Sequence, residues 1–230
     1  MVSAVTSGDC ATLSTVQDLS AERVDYTGAQ LLEAAVPDHP VTLFESWLAD
    51  AFLARDEGRL AEPTAMVLAT YDGEQPSART VLLKSVSAAG FVFFTNYNSR
   101  KGAEIAANPA VALLFGWYAL QRQVRVEGIA ETVDRTESED YFRTRPRGSQ
   151  LGAWASAQSS VVASREELTE AYLATEQRFA GQEVPCPPYW GGFLVTPRMV
   201  EFWQGQPSRM HDRLLYTRTD NGWSLTRLAP

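Results

Sequence analysis

Cysteine and histidine are both scarce in this sequence. The chain has two cysteines and two histidines in 230 residues. Cys10 lies in the N-terminal segment and Cys186 in a proline-rich turn, and neither belongs to a C-x-x-C motif or has a histidine at ligand spacing. Disulfide frameworks and structural zinc sites both need several such residues at regular spacing. We therefore expect neither a disulfide framework nor a metal site.

Long apolar segments are absent as well. The longest nearly apolar stretch, residues 111–120, is well short of the roughly 20 residues that a membrane-spanning helix needs. The first twenty residues lack the basic and apolar regions of a signal peptide. These observations predict a cytoplasmic protein with no membrane partner.

Basic residues are outnumbered by acidic ones. With 20 Lys and Arg against 28 Asp and Glu, the net charge is −8 and the pI is about 4.9. A broad basic surface for nucleic acid is therefore not expected, and local clusters of basic residues become informative. The motifs G-x-G-x-x-G, the P-loop, G-x-S-x-G and H-E-x-x-H do not occur, which disfavours serine and zinc hydrolases.

Hydrophobic and turn patterns predict antiparallel strands with scattered helices. Residues 1–20 are expected to form a mobile N-terminal tail and residues 21–230 a single domain, since no repeat or low-complexity linker divides them. Helices are predicted at residues 40–55, 99–107, 136–144 and 164–179. Strands are predicted at residues 65–71, 77–85, 91–95, 110–117 and 121–133, around 193, at 200–204, and in a final hairpin that turns at Asn221-Gly222. The order favours a mainly β or α+β, barrel-like fold over a doubly wound α/β fold.

One histidine lies between two arginines near the C-terminus. If residues 209–213 are extended, the side chains of Arg209, His211 and Arg213 project from one face, because side chains alternate along a strand. Three groups that carry or can carry positive charge would then repel one another. An anionic ligand at this face would remove the repulsion.

Two further segments place cations where an anion could bind. Arg100 and Lys101 open a predicted helix, where the helix dipole disfavours cations by roughly 0.3–1 kcal/mol, so their presence suggests a bound phosphate. A solvated basic turn explains this segment equally well. Arg79 and Lys84 are five residues apart on a predicted strand and face opposite ways. A bulge or two different partners would be needed if both were functional.

A third segment could also hold a phosphate. Tyr141 and Arg145 are spaced i and i+4 on a predicted helix, and Ser149 follows, so that a phenol, a guanidinium and a hydroxyl come together. An arginine that stabilises the C-terminus of its helix is an equally good explanation. Gln123, in an alternating strand, is a weaker candidate.

Taken together, these segments resemble one known family. The chain contains, in order, R-x-V-L-L-K at residues 79–84, F-F-T-N-Y-N-S-R-K, Q-R-Q-V, R-P-R-G-S-Q-L-G-A-W-A-S-x-Q-S, W-G-G-F, E-F-W-Q-G, R-M-H-D-R and R-L-A-P. These motifs are similar to those of the pyridoxamine 5′-phosphate oxidases, and the resemblance runs from about residue 23 to residue 230.

The resemblance implies a fold and an activity. The implied fold is an FMN-binding split β-barrel with peripheral helices, which forms a homodimer with FMN at the subunit interface. The implied reaction is the oxidation of pyridoxamine or pyridoxine 5′-phosphate to pyridoxal 5′-phosphate by hydride transfer to flavin N5, in vitamin B6 salvage or biosynthesis. O₂ would be the acceptor and would yield H₂O₂.

The resemblance also assigns roles to residues. The implied cofactor contacts are Arg79, Val81, Leu82, Lys84, Phe94, Thr95, Arg100, Lys101, Gln123, Gln158, Ser159, Trp203 and Arg213. The implied substrate contacts are Lys84, Tyr141, Arg145, Ser149, Arg209 and His211, with Arg23 and Tyr26 from an N-terminal segment that closes over the substrate. Arg209 and His211 are the implied catalytic residues, which would orient the substrate and help to manage the proton of its amine or hydroxyl.

Two other functions are open at this stage. The same fold carries flavin-dependent reductases of other substrates, and a non-catalytic protein that binds FMN or pyridoxal phosphate could keep the fold without turnover. The intact set of substrate contacts argues against both. Phe94 stands where the family has tyrosine and Met210 where leucine is common, but neither change removes a contact if backbone atoms bind there.

Overall fold

A computed structural model of the chain describes residues 24–230. Within this part of the chain, nine strands pair antiparallel in one curled, half-barrel sheet with the order β2-β1-β5-β6-β7-β4-β3, and β8 and β9 continue from β7. The strands are β1 (Ala65–Tyr71), β2 (Pro76–Leu82), β3 (Ser85–Ser87), β4 (Gly90–Asn96), β5 (Ala110–Trp117), β6 (Arg122–Thr132), β7 (Trp190–Gln204), β8 (Asp212–Thr219) and β9 (Gly222–Arg227). The helices are α1 (Pro40–Asp56), α2 (Arg100–Ala107), α3 (Arg135–Thr144), α4 (Arg147–Ala155) and α5 (Arg165–Arg178). The prediction of a mixed, mainly antiparallel fold with peripheral helices is confirmed.

Strand β7 divides one of its edges between two partners. Residues 190–195 pair with β4, residues 199–204 pair with β8, and β6 runs along the other edge for nearly the whole length. The change of partner occurs next to a register shift at Glu127/Gly128, where Pro197 lies opposite Gly128. A bulge of this kind increases the local twist of a strand. The sheet therefore curls, and β4 and β8 diverge from one another.

The curled sheet closes around a core of aromatic side chains. Burial alternates along β1, β5 and β6, so one face of each strand points inward. Helix α1 covers this face with Phe44 and Trp47. The ring of Phe44 meets Phe91 and Phe115 edge-on at centroid distances of 4.9 and 4.8 Å, and Trp47 meets Phe202 at 5.2 Å. These contacts tie α1 to three strands that are distant in sequence.

A second hydrophobic cluster lies beside the first residues of β7. It contains Phe142 from α3, Leu151 from α4, Phe179 from the end of α5, and Trp190. Phe142 and Trp190 meet edge-on at 5.0 Å. The cluster fixes α3 and α4 against the end of the sheet, where the candidate site residues of both helices lie.

Most predicted elements are present, with two clear differences. The strands predicted at residues 65–71 and 110–117 coincide with β1 and β5. The two strands predicted around 193 and at 200–204 are one continuous strand, since Pro197 lies at the bulge and does not end it. Helix α4 was not predicted. It begins directly after Pro146, whose fixed φ suits a helix start.

The expected extended conformation of residues 209–213 is wrong. Arg209 lies in a short 3-10 helix, Pro207–Arg209, and both Ser208 (φ 56°) and Arg209 (φ 63°) are left-handed. Strand β8 begins only at Asp212. Arg209 therefore does not alternate in a strand with His211 and Arg213, and the argument from a shared strand face fails.

A buried carboxylate joins helix α2 to the β1–β2 hairpin. Glu104 is 4% exposed and accepts hydrogen bonds from the hydroxyls of Thr70 (2.5 Å) and Ser77 (2.7 Å) and from the guanidinium groups of Arg79 (2.8 Å) and Arg100 (2.7 Å). Burial by itself raises the pKa of a carboxyl group, but these four donors together lower the pKa of Glu104 to about 2. Glu104 is therefore a fixed negative charge at neutral pH.

Acidification should destabilise the folded chain through Glu104. Its pKa falls from 4.5 to about 2 on folding, so its stabilising contribution is complete above about pH 4.5 and is lost as the pH falls toward about 2. A shift of this size corresponds to roughly 3 kcal/mol. We expect the free energy of urea unfolding to fall more steeply between about pH 6 and about pH 3 in the wild type than in Glu104→Gln. Equal slopes for the two proteins would contradict this role.

Candidate active site

A cavity of about 670 Å³ opens between the end of β2, strand β4 and helices α3 and α4. Its charged lining consists of Lys84, Lys101 and Arg145, and none of the described residues that line it is Asp or Glu. Seven further candidate residues line the same cavity: Val81, Leu82, Phe94, Thr95, Tyr141, Ser149 and Gln158. Three cations without a carboxylate, on a chain of net charge −8, indicate a site for an anionic ligand.

Arg145 is the strongest single indication of an anion. It is the C-cap of α3 and has an extended backbone conformation. The predicted i and i+4 pairing of Tyr141 with Arg145 within one helix is therefore wrong. The guanidinium lies over the rings of Trp190 (4.5 Å) and Phe142 (5.3 Å). Its Nη1 atom is buried and has no hydrogen-bond partner among the described residues. Burial lowers the pKa of Arg145, as expected for a cation without a counter-charge.

Aromatic rings form one wall of the cavity. Phe94, Tyr141 and Trp190 are nearly parallel, with interplanar angles of 21° or less. The centroids of Phe94 and Tyr141 are 4.1 Å apart. Ligand sites are commonly lined by aromatic side chains with a few convergent polar groups, so this wall and the nearby cations suit an anionic ligand that also has an apolar part.

Lys101, in the first turn of α2, lines the same cavity. Its Nζ donates to Thr95 Oγ1 (3.1 Å), Ser99 Oγ (3.1 Å) and Gln158 Oε1 (2.9 Å). Burial lowers the pKa of Lys101, and the nearby charge of Arg79 lowers it further. The structure thus brings together three of the predicted cofactor contacts, Lys101, Thr95 and Gln158.

Arg79 and Arg100 lie beside the cavity, outside its lining. Both donate to Glu104. Arg79 also donates to the hydroxyls of Thr70 and Ser77, whereas Arg100 stays 62% exposed. Lys84, beyond the end of β2, is exposed and lines the cavity. Arg79 therefore pairs with Glu104, whereas Lys84 lines the cavity, so the two cations do not act on the same group of the protein.

A second group of candidate residues lies elsewhere on the chain. Tyr26, Arg209 and His211 line a separate cavity of about 430 Å³. The His211 ring packs against Trp203 (4.7 Å) and meets Tyr26 edge-on (5.3 Å). His211 Nδ1 accepts the backbone N–H of Gln206 at 3.1 Å. In the neutral ring this leaves the proton on Nε2.

Three cofactor candidates form a row across the sheet next to this second cavity. Gln123 of β6 is opposite Trp203 of β7, which is opposite Arg213 of β8. Arg213 already has a counter-charge, because its Nε donates to the buried carboxylate of Glu201 at 2.8 Å. Burial raises the pKa of Glu201, but hydrogen bonds from Arg213 and Arg125 reverse the effect and lower it. The repulsion expected around Arg213 is therefore absent.

The two groups lie at opposite ends of β7. Trp190 lines the first cavity, Trp203 packs beside the second, and the cavities share no lining residue. Thirteen residues at about 3.3 Å each give a strand path of roughly 43 Å. Within one copy of the chain, the two groups therefore line two separate cavities.

One described candidate, Ser159, lies outside both groups and both cavities. It is exposed and has a φ of 75°. Arg23 lies outside the described residues. Glu104, Glu201 and Gln206, which hold site residues in place, were not predicted. The i and i+4 spacing of Arg100 and Glu104 was a signal for the first of these.

Family models match most of the chain. Residues 54–176 match a model described as pyridoxamine 5′-phosphate oxidase. Residues 190–230 match a model described as the pyridoxine 5′-phosphate oxidase C-terminal dimerisation region. The second match contains β7, β8 and β9, and with them the second group of candidate residues except Tyr26 and Gln123.

Individual proteins agree with the family models. A pyridoxine/pyridoxamine 5′-phosphate oxidase of Rubrobacter xylanophilus is 54% identical over 93% of this chain and 97% of its own length. One of Synechocystis is 50% identical over 90% of this chain and 96% of its own length. The crystal structure of PhzG from Burkholderia lata, in complex with tetrahydrophenazine-1-carboxylic acid, is 30% identical over 88% of this chain and 99% of its own, with a TM-score of 0.81. The chain therefore belongs to the pyridoxine/pyridoxamine 5′-phosphate oxidase family of oxidoreductases.

Proposed function

We propose that this chain oxidises pyridoxamine and pyridoxine 5′-phosphate to pyridoxal 5′-phosphate with FMN as cofactor and O₂ as acceptor. The observation that carries the proposal is the buried Nη1 of Arg145, which has no partner among the described residues and lies in a cationic cavity free of Asp and Glu. Such a group is stabilised by a bound anion. The relatives from Rubrobacter and Synechocystis, at 54% and 50% identity, support this choice of substrate.

The residues around the first cavity fit FMN. Lys101, Arg79 and Arg100 offer positive charge for a phosphate, and Thr95 and Gln158 offer polar groups that already meet Lys101. Val81, Leu82 and Lys84 present the end of β2 to the same cavity. The chemistry that bound FMN supplies is acceptance of a hydride from the substrate carbon at flavin N5 and return of both electrons to O₂, which gives H₂O₂. A solved FMN-binding protein from Nostoc punctiforme, 18% identical with a TM-score of 0.61, has a similar fold.

A second anion site in the same cavity would hold the substrate phosphate. Arg145, Lys84, Tyr141 and Ser149 all line the cavity, and together they supply two cations and two hydroxyls. Arg145 is preorganised, since its guanidinium packs against the rings of Trp190 and Phe142. Binding the phosphate there would orient the pyridine ring toward the aromatic wall and exclude water from the reacting carbon.

His211 and Arg209 would act at the other end of the substrate. His211 Nε2 is left free to exchange a proton with the substrate amine or hydroxyl, because Nδ1 is held by Gln206. Arg209 lies in the same cavity and would orient the substrate through its charge. Tyr26 packs against His211 and would limit access of water. Arg23, which is also proposed to contact the substrate, lies outside the residues that the structure describes.

The proposed active unit is a homodimer. The two groups of site residues are at opposite ends of β7, so a second copy is needed to bring Trp203, Arg213 and His211 to the first cavity of its partner. The match of residues 190–230 to a dimerisation region supports this arrangement. FMN would then lie at the interface between the two copies.

A single domain and a cytoplasmic location complete the proposal. Strand β7, from the second family region, pairs with β4 and β6 from the first, so residues 21–230 are proposed to fold as one unit. The mobile tail predicted at residues 1–20 lies outside the described residues. Among residues 24–230, no helix is both long and apolar enough to cross a membrane. The location itself stays a prediction.

One assay tests the function directly. The purified protein should bind FMN, turn yellow and form pyridoxal 5′-phosphate from pyridoxamine or pyridoxine 5′-phosphate, with O₂ consumed and H₂O₂ released in equal amounts. A protein that binds FMN but turns over neither substrate would support the non-catalytic or reductase alternatives. A protein that neither contains FMN nor gains activity with added FMN would contradict the proposal altogether.

Arg145→Gln should separate substrate binding from cofactor binding. A lost charge-assisted hydrogen bond is worth about 1.5–3 kcal/mol, so kcat/KM should fall roughly 10-fold to 100-fold through KM, with FMN still bound. Stability of the ligand-free protein should not fall, since a buried charge without a partner is removed. The control is Arg143→Gln, at an exposed arginine two residues away that pairs with Asp140. A similar loss of kcat/KM in both variants would refute the role of Arg145.

A further inference from the structure

We propose that Glu104 is a positioning residue, which holds Arg79 and Arg100 in the arrangement that receives the phosphate of FMN. This inference rests on the proposed function and adds a residue that neither the sequence motifs nor the family resemblance assigns. Glu104 lies on α2 behind the two arginines and does not line the cavity. Its effect on the ligand would therefore be exerted through its partners.

Each oxygen of Glu104 binds one arginine. Oε2 accepts from Arg79 Nη2 at 2.8 Å, and Oε1 accepts from Arg100 Nε at 2.7 Å. Oε2 also accepts from the hydroxyls of Thr70 and Ser77. Rotation of the carboxylate would therefore break all three hydrogen bonds to Oε2. A carboxylate that is 4% exposed and fixed in this way sets the distance between the two guanidinium groups.

Arg100 keeps donors available for a ligand. Only its Nε donates to Glu104, and within residues 24–230 its Nη1 and Nη2 make no hydrogen bond. Its side chain is 62% exposed at the start of α2, whereas Arg79 is 21% exposed and uses both of its Nη atoms. Arg100 would thus contact the phosphate directly, and Arg79 would contribute its charge and its Nε.

The charges of the cluster match a phosphate monoester. Arg79, Arg100 and Lys101 carry three positive charges, and Lys101 is close enough to Arg79 and Glu104 for both to influence its pKa. The single negative charge of Glu104 leaves two positive charges, against about −1.5 to −2 on a phosphate monoester at pH 7. Without Glu104 the three cations would repel one another at close range in the ligand-free protein.

A purely structural role for Glu104 makes different predictions. If Glu104 only ties α2 to the β1–β2 hairpin, its loss should weaken every ligand of the cavity equally. If only net charge matters, removal of a negative charge should strengthen phosphate binding. The positioning role predicts that loss of Glu104 weakens binding only of ligands that carry the phosphate, although the site gains positive charge.

The test compares FMN with riboflavin, which lacks the phosphate. Dissociation constants for both would be measured by fluorescence quenching with the FMN-free full-length protein, as wild type and as Glu104→Gln. The expected result is a rise of about tenfold or more in the Kd for FMN, as for loss of one charge-assisted hydrogen bond. The Kd for riboflavin should change less than about twofold. The matched control is Glu139→Gln, which removes an exposed i and i+4 pair with Arg135 and should change neither Kd.

Each other outcome overturns the proposal. An unchanged or lower Kd for FMN in Glu104→Gln, or an equal loss for FMN and riboflavin, would refute positioning of the phosphate site. If Glu104→Gln does not fold, Glu104→Asp decides, because the shorter side chain keeps the charge but cannot reach both arginines. In that variant, retained FMN affinity would refute the proposal and selective loss of FMN affinity would support it. Failure of the wild type to bind FMN would instead refute the proposed function.

Discussion

The divided edge of β7 is the constraint on which the rest of the structure depends. One strand pairs with β4 over its first half and with β8 over its second half, while β6 follows its other edge. This arrangement curls the sheet around Phe44 and Trp47, and it places the cationic cavity at one end of the strand and His211 at the other. Under the proposed function, a site that uses both groups is completed by another copy of the chain.

Two buried carboxylates organise the basic residues of this acidic chain. Glu104 holds Arg79 and Arg100, and Glu201 holds Arg125 and Arg213. In each pair, one carboxylate holds two guanidinium groups and offsets part of their positive charge before any ligand binds. Arg145 differs, because its buried Nη1 has no hydrogen-bond partner in the described part of the chain. Arg145 is therefore stronger evidence for a bound anion than the four arginines that already pair with a carboxylate.

Much of the fold follows from local sequence patterns, whereas the arrangement of the site does not. Alternating apolar residues locate β1 and β5, and Asn221-Gly222 locates the last hairpin, because these signals act over a few residues. Helix α4 was missed, because in the sequence pattern Pro146 only follows the preceding helix, whereas in the structure it is also the N-cap of α4. The conformation of Arg209 depends on two left-handed residues that are not glycine, a choice imposed by the surrounding structure and invisible in spacing. The role of Glu104 requires contacts across α2, β1 and β2.

Complementation between two variants tests most directly whether the active site lies between two copies. Arg145→Gln alters the first cavity, and His211→Asn alters the second. Assayed at substrate concentrations well below KM, each variant alone should lose most activity while keeping its FMN. Mixed dimers, purified from co-expressed chains with two different tags, should regain about half of the wild-type activity, because one of their two sites carries neither substitution. Mixed dimers as inactive as the single variants would contradict the account, since both residues would then act within one chain.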